Sequence, residues 1–340
     1  MLVQSYRLSS PRQIRIDFKN LNISDDDNII VRPTYLSICA ADQRYYQGKR
    51  PPEVLAKKLP MALIHEAVGK VVYDPQNKFK KGDNVVLIPN TPVENDDVIK
   101  ENYLRSSFFK SSGHDGFMQS IVSIERSRVI KYKKIDNKIA VLLELTSVAM
   151  NALEHFEGYS HIKKQVLGVW GDGSVGFITA LVLKKTFPNA KLIVFGHREE
   201  KLNYFQFADE LYQVGNVPED VKVDHAFECV GGFKAANAIN QIIDIINPQG
   251  TIALMGVSED NVPINTRMVL EKGLTLIGNS RSGYEDFDAA IKFIEENDDV
   301  KNYLNSIISD EINVVSLKNI HEAFEKDINN NFKTIMKWNI

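Results

Sequence analysis

The run QVLGVWGDGSVGFITALVLKKTF, residues 165 to 187, constrains this chain more than any other stretch. VLGVW has the length and apolar character of a buried strand, and the apolar residues of VGFITALVLKKTF recur at helical spacing. Between them stand Gly171, Gly173 and Gly176 in the pattern G-x-G-x-x-G. A strand, these glycines and a helix in succession make the opening of a βαβ unit that binds a dinucleotide. Gly171 makes the tight turn, Gly173 lets the backbone approach a pyrophosphate, and Gly176 lets the helix pack close to the sheet. Ser174 and Val175 open the helix, whose free N–H groups and positive dipole end favour an anion.

The following segments keep the same rhythm. KLIVF, DHAFECV, TIALMGV and LTLIGN read as strands and KAANAINQIIDII as a helix. Strands alternating with helices mean a parallel sheet. LYQVGNVPED is read as a loop between two such units. Up to about residue 130 the pattern is different. IIVRPTYL, EAVGKVVYD, DNVVLIP and GFMQSIVSI are short β-type runs broken by turn residues. IAVLLELTSVAMNALEHFE, residues 139–157, predicts one long helix or a pair, and DFDAAIKFIEEN and SLKNIHEAFEKDI predict amphipathic helices. With 340 residues, two domains are expected.

The strand KLIVF ends where the cofactor's ribose would lie. An acidic residue about 20 positions after the last glycine would bond the 2′-OH of NAD. Position 196 is Gly196, followed by His197 and Arg198. No carboxylate there repels a 2′-phosphate, and Arg198 offers a planar fork to bind one. The expected cofactor is therefore NADPH; the alternative is a solvated Arg198, with Glu199 on the ribose.

A net charge of −3 argues against nucleic acid as a partner. No apolar run approaches a membrane span, and MLVQSYRLSSPRQIRIDF lacks the apolar core of a signal peptide. Cys39 and Cys229 are the only cysteines and suggest no disulfide framework. A cytoplasmic location is the expectation.

Cys39 lies in SICAAD, just after a strand. A lone cysteine is commonly a packing residue. PMALIHEAVGKVV, however, sets His65 and Glu66 at the head of another strand, and LLELTSV carries Glu144 in an apolar run. A carboxylate among leucines is costly unless paired or bound to a metal. Thiolate, imidazole and carboxylates together suit Zn²⁺ with one position left open for substrate. A core histidine, and an arginine partner for Glu144, stay open at this point. Cys229 in FECVGG is read as packing.

Cys39 with Asp42 close behind, His65-Glu66, KKGDNVV, Glu144, GDGSVG and FECVGG follow in an order that resembles the zinc-dependent medium-chain dehydrogenase/reductase family, over essentially the whole chain. The resemblance implies an α/β protein with a GroES-like β-rich catalytic domain and a Rossmann doubly wound parallel sheet. The catalytic domain would span 1–145, with 286–340 returning to it, and the NADP-binding domain 146–285. It implies a catalytic zinc on Cys39, His65 and either Glu66 or Glu144, with Asp42 orienting the histidine. Two departures follow from the residues. TPVENDDVIKENYLRSSFFKSSGHDGF lacks the four cysteines of a structural zinc lobe, so one zinc is expected. The position two after Cys39 is Ala41, where many members have a hydroxyl relay.

ICAADQRYYQG, LPMALIHE, IPNTPVENDDVIKENYLRSSFFKSSGHDGFMQ and NTRMVLEKGLTLIGNSRSG look more specifically like the bacterial ribulose-5-phosphate reductases. That implies NADPH-dependent reduction of D-ribulose 5-phosphate to D-ribitol 5-phosphate, for CDP-ribitol in teichoic acids or capsules. It implies a homodimer through the Rossmann sheets, and association with a ribitol-5-phosphate cytidylyltransferase. A phosphorylated sugar needs cations. Arg44, with Lys49 and Arg50 nearby, and Arg281 are candidates, and His114 could reach the substrate from a turn. The competing readings are a dehydrogenase of unphosphorylated polyols, a zinc-free quinone reductase, and a non-catalytic NADPH sensor.

Overall fold

The two rhythms of the sequence become two sheets in the computed structural model, which describes residues 1–21 and 25–340. The chain divides into two units, Met1–Ser147 with Ser282–Ile340 and Val148–Arg281.

The first unit opens with β1 (Leu2–Ser10), β2 (Gln13–Asn20), β3 (Asn28–Ser37), α1 (Ala40–Tyr46), α2 (Pro52–Lys58), β4 (Met61–Ala62), β5 (Glu66–Tyr73), β6 (Asn84–Leu87), β7 (Asn90–Thr91), β8 (Phe108–Phe109), β9 (Val122–Glu125) and β10 (Val129–Lys131). The stretch 139–157 is a pair, α3 (Asn137–Ala140) and α4 (Leu143–Tyr159), with a break at Val141-Leu142. The second unit runs β11 (Val166–Trp170), α5 (Ser174–Thr186), β12 (Lys191–Gly196), α6 (Glu199–Leu202), β13 (Glu210–Gln213), β14 (His225–Glu228), α7 (Ala235–Ile245), β15 (Thr251–Leu254), α8 (Thr266–Lys272) and β16 (Thr275–Gly278). The chain then adds α9 (Tyr284–Glu296), α10 (Asp298–Ser306), β17 (Ile308–Val314), α11 (Leu317–Asp327) and β18 (Lys333–Trp338) to the first unit.

The main sheet of the first unit has the order β10-β6-β5-β3-β18-β17, with β9 also pairing β3. A smaller sheet has the order β2-β1-β4. Ile29, Val31 and Leu36 of β3 lie in one buried core with Tyr45 and Tyr46 of α1 and Met336 and Trp338 of β18. The C-terminal strand is thus built into the sheet that carries the N-terminal half, a GroES-like arrangement. Its register sets Ile335 opposite Ser37, which is itself opposite Glu66. The ends of β3 and β18 and the head of β5 therefore meet at one place.

The second unit holds a six-stranded parallel sheet in the order β13-β12-β11-β14-β15-β16, a Rossmann doubly wound topology. Trp170 stacks on Phe195 at 3.9 Å between ring centres. The glycine turn requires its residue types. Gly171 has φ +130, and a Cβ on Gly176 would stand 1.9 Å from the Gly171 carbonyl oxygen. One expectation needs correction: LYQ within LYQVGNVPED belongs to β13, paired with β12, and is not loop. A short edge strand with no buried residue and an exposed Leu211 carries no clear apolar alternation. Among the described residues no helix is long and apolar enough to cross a membrane.

Candidate active site

Cys39 follows β3 and stands at the N-cap of α1. His65 precedes β5, and Glu66 is its first residue. One ligand atom from each lies within 4.8 Å of the others. Asp42 builds this corner. Its Oδ2 accepts from the Cys39 N–H at 3.3 Å and lies 3.2 Å from His65 Nδ1, while its Oδ1 accepts from the Ile64 N–H at 3.0 Å and from the Ser111 hydroxyl at 2.5 Å. A carboxylate on Nδ1 fixes the ring and turns its other nitrogen toward the corner, where the side chain also bonds Cys39. Ile64 has φ +71, a costly conformation for a β-branched residue. It is held by Asp42 on its N–H and by the Phe117 N–H, which donates to its carbonyl at 2.7 Å. That kink aims His65.

Charge is concentrated here and almost dry. Burial opposes the protonated form of His65, but the Asp42 carboxylate and Cys39 outweigh it and hold its pKa well above the ordinary value. Burial likewise works against the Asp42 anion, yet His65, Ser111 and the Ile64 N–H bring its pKa below the usual carboxylate range. Lys333, buried at the head of β18, donates to Glu66 Oε1 at 2.7 Å and to the Ile38 carbonyl at 2.8 Å. Glu66 Oε2 is buried and, among the described residues, has no hydrogen-bond partner. An orphaned carboxylate oxygen beside a thiol and an imidazole fits a metal cation. Glu144, buried in α4, lies outside the tight group but feels it. Its pKa is pushed up to about 7, first by burial and also by the neighbouring Glu66 charge.

The second unit holds a cavity of about 660 Å³ lined by Gly171, Gly173, Gly196, His197 and Arg198, among others. A Cβ on Gly173 would meet nothing within 4 Å, so open space stands before the backbone there. Gly173 caps α5 with no side-chain bond, leaving the first N–H groups of Ser174 and Val175 to an anion. A Cβ on Gly196 would come within 2.9 Å of the Asp172 Cβ. Asp172 Oδ2 accepts from the His197 and Arg198 N–H groups at 2.8 and 2.7 Å, which sets the turn that presents Arg198. The Arg198 side chain is half exposed and 3.7 Å from Glu200. This donor set suits a dinucleotide with a 2′-phosphate.

Arg44, Arg281, His114 and Cys229 complete the expected residues. Arg44 lies in the last turn of α1 in the first unit, and Arg281 ends the second unit with φ +61. His114 is exposed, its ring 4.7 Å from that of Phe108. Cys229 packs against Thr179 and Met255 at 3.8 Å, and burial pushes its thiol pKa far up. Ser111 and Lys333 were not singled out in the sequence. The only signal for Lys333 is a lysine at the head of the mostly apolar run KTIMKW, where a buried cation needs a partner.

A GroES-like domain with a thiol, imidazole and carboxylate corner, on one chain with a dinucleotide cavity, defines a zinc-type nicotinamide-dependent dehydrogenase or reductase. Residues 25–134 match the alcohol dehydrogenase GroES-like domain, and residues 137–338 match the glucose dehydrogenase C-terminus. The chain is 49% identical to a ribulose-5-phosphate reductase of Bacillus spizizenii over 100% of both chains. It is 45% identical to one of Streptococcus pneumoniae over 100% of this chain and 98% of the other. A crystal structure of Staphylococcus aureus TarJ in complex with NADPH superposes with TM-score 0.90 at 43% identity, over 100% of both chains. The chain therefore belongs to the medium-chain dehydrogenase/reductase family, in the branch of these ribulose-5-phosphate reductases.

Proposed function

We propose that this protein transfers a hydride from NADPH to the C2 carbonyl of D-ribulose 5-phosphate. With one proton taken up, the products are D-ribitol 5-phosphate and NADP⁺. The observation that carries the reading is the Cys39–His65–Glu66 corner, with an unclaimed Glu66 oxygen, in a chain 49% identical along its length to such a reductase.

Cys39, His65 and Glu66 would hold the zinc, with Glu144 buried beside them. A bound zinc supplies Lewis acidity that polarises a carbonyl oxygen and stabilises the alkoxide. Asp42 keeps His65 in one tautomer and orientation. Lys333 offsets the Glu66 charge and holds one of its oxygens in place. Bound NADPH supplies the hydride. The α5 N-terminus takes its pyrophosphate, and Arg198, on the turn set by Asp172, takes its 2′-phosphate. Ala41 has no hydroxyl to relay a proton, so the proton taken up would come through water or a substrate hydroxyl.

The product would suit a cytidylyltransferase making CDP-ribitol for teichoic acid or capsule, and we read the reaction as cytoplasmic. A homodimer is read through β16, which closes the parallel sheet and pairs on one side only. The test is NADPH oxidation by zinc-loaded protein with D-ribulose 5-phosphate, beside D-ribulose and beside NADH. Turnover confined to the phosphorylated sugar and strongest with NADPH is expected. Turnover of free ribulose or its polyol instead moves the protein to the polyol dehydrogenases and refutes the reading.

A further inference from the structure

Lys58, at the end of α2, is half-buried and has an unusual set of neighbours. Its Nζ donates to Ser112 Oγ at 3.0 Å and stands 5.9 Å from the centre of the Tyr45 ring. The Arg50 guanidinium lies 4.9 Å from the same ring. Two cations thus share one buried aromatic, and among the described residues no carboxylate forms an ion pair with Lys58. The lysine stem is also held in place: a Cβ on Gly113, which has φ +87, would lie 3.6 Å from Lys58 Cγ.

This cationic group is tied to the metal corner by two routes. Tyr45 is in α1, the helix that Cys39 caps. Ser111, the neighbour of Ser112, donates to Asp42, which in turn holds His65. Adjacent Cα atoms are about 3.8 Å apart. One residue of the turn 111–112 therefore serves the metal corner while the next bonds Lys58.

We propose that Lys58 and Ser112, with Arg50 across the Tyr45 ring, form the subsite that binds the substrate's phosphate monoester. The inference rests on the phosphosugar reading above and names the residues that enforce it. The Lys58 ammonium gives a charge-assisted bond to a phosphate oxygen, and the Ser112 hydroxyl, already accepting from Lys58, donates its own proton to a second. A five-carbon ketose with its carbonyl at the corner would then carry its phosphate to the Lys58–Ser112 pair. The unphosphorylated sugar makes no bond to that pair and loses the binding that the phosphate provides.

The test compares Lys58→Gln, Lys58→Arg and Ser112→Ala with the unaltered holoenzyme. Two readouts are taken: the ratio of kcat/KM for D-ribulose 5-phosphate to that for D-ribulose, and the rise in melting temperature on adding D-ribulose 5-phosphate. Lys58→Gln is expected to lower the ratio about 30-fold or more, Ser112→Ala about 5-fold, and Lys58→Arg far less than Lys58→Gln. The thermal shift is lost in Lys58→Gln alone among the lysine variants. A Lys58→Gln ratio and shift equal to those of the unaltered enzyme overturn the subsite while leaving the reductase reading intact. If the unaltered enzyme ignores D-ribulose 5-phosphate yet is stabilised by inorganic phosphate in a Lys58-dependent way, the subsite stands and the named substrate falls.

Discussion

Replacing Lys333 by methionine is the most direct probe of the metal corner. Both Lys333 and Glu66 are buried, and their bond is 2.7 Å. Glu66 Oε2 has no partner already, so Lys333→Met leaves both oxygens bare and also strips a donor from the Ile38 carbonyl. Methionine keeps most of the volume, so little of the effect is a cavity. Breaking a buried pair from one side costs about 3–5 kcal/mol, because an uncompensated charge stays behind. For a unit of this size that lowers the melting temperature by roughly 6–20 °C. A zinc ion held by Glu66 restores a cation to the carboxylate, so the loss in zinc-loaded protein is smaller than in chelated protein. Urea unfolding of both forms, with and without Lys333→Met, measures the difference. Adding Glu66→Gln to Lys333→Met should recover much of the stability, since the pair is then removed whole. A chelated Lys333→Met protein within about 1 kcal/mol of the parent would refute the idea that Lys333 compensates a buried charge at this corner.

Three further outcomes are expected. Asp42→Asn should weaken zinc binding by about 10–100-fold through loss of the carboxylate on His65 Nδ1, read by competition with a chromophoric chelator; unchanged affinity contradicts the role given to Asp42. Arg198→Ala should cut the ratio of NADPH to NADH affinity by about tenfold, read by cofactor fluorescence, and an unchanged ratio puts the 2′-phosphate elsewhere. His225 gives a pH signature in the second unit. Its Nε2 bonds the Lys163 carbonyl at 3.0 Å and its Nδ1 accepts from the Thr251 N–H at 3.0 Å, which requires the neutral ring. Burial, with His161 and Lys164 adding to it, lowers its pKa to about 4. The unfolded chain then binds more protons than the folded one below about pH 6.5, so stability is full above that pH and falls as pH drops toward 4. His225→Gln should flatten thermal stability across that window, and an equally steep fall in the variant would count against the assignment.

The dinucleotide site was legible because its signals are local: strand, glycines and helix sit within one short run, and the Gly171 carbonyl that leaves no room for a Cβ on Gly176 is only five residues away in the chain. The metal corner was legible in residue type but not in charge balance. Cys39, His65 and Glu66 announce themselves as donors. Their compensating cation is 267 residues distant from Glu66 and arrives only because β18 pairs with β3. Lys58 was hidden for a similar reason. It reads as the last charge of a short surface helix until the fold lays the turn 111–113 against it. The half-exposed strand β13 has too weak a period to be read at all.

That charge balance also separates the two carboxylates, which sequence reasoning left equivalent. Glu66 has Lys333 on one oxygen, so its anion is compensated before any metal arrives. Glu144 is as deeply placed, yet its pKa rises to about 7, because burial and the Glu66 charge outweigh what His65 and Lys333 return to it. Two anions that close in a dry corner compete for the same positive field. The lysine on β18 bonds Glu66 and not Glu144, and added positive charge in the corner favours the Glu144 anion. A bound divalent cation brings that charge, and its affinity should then fall as protons compete for Glu144 on acidification.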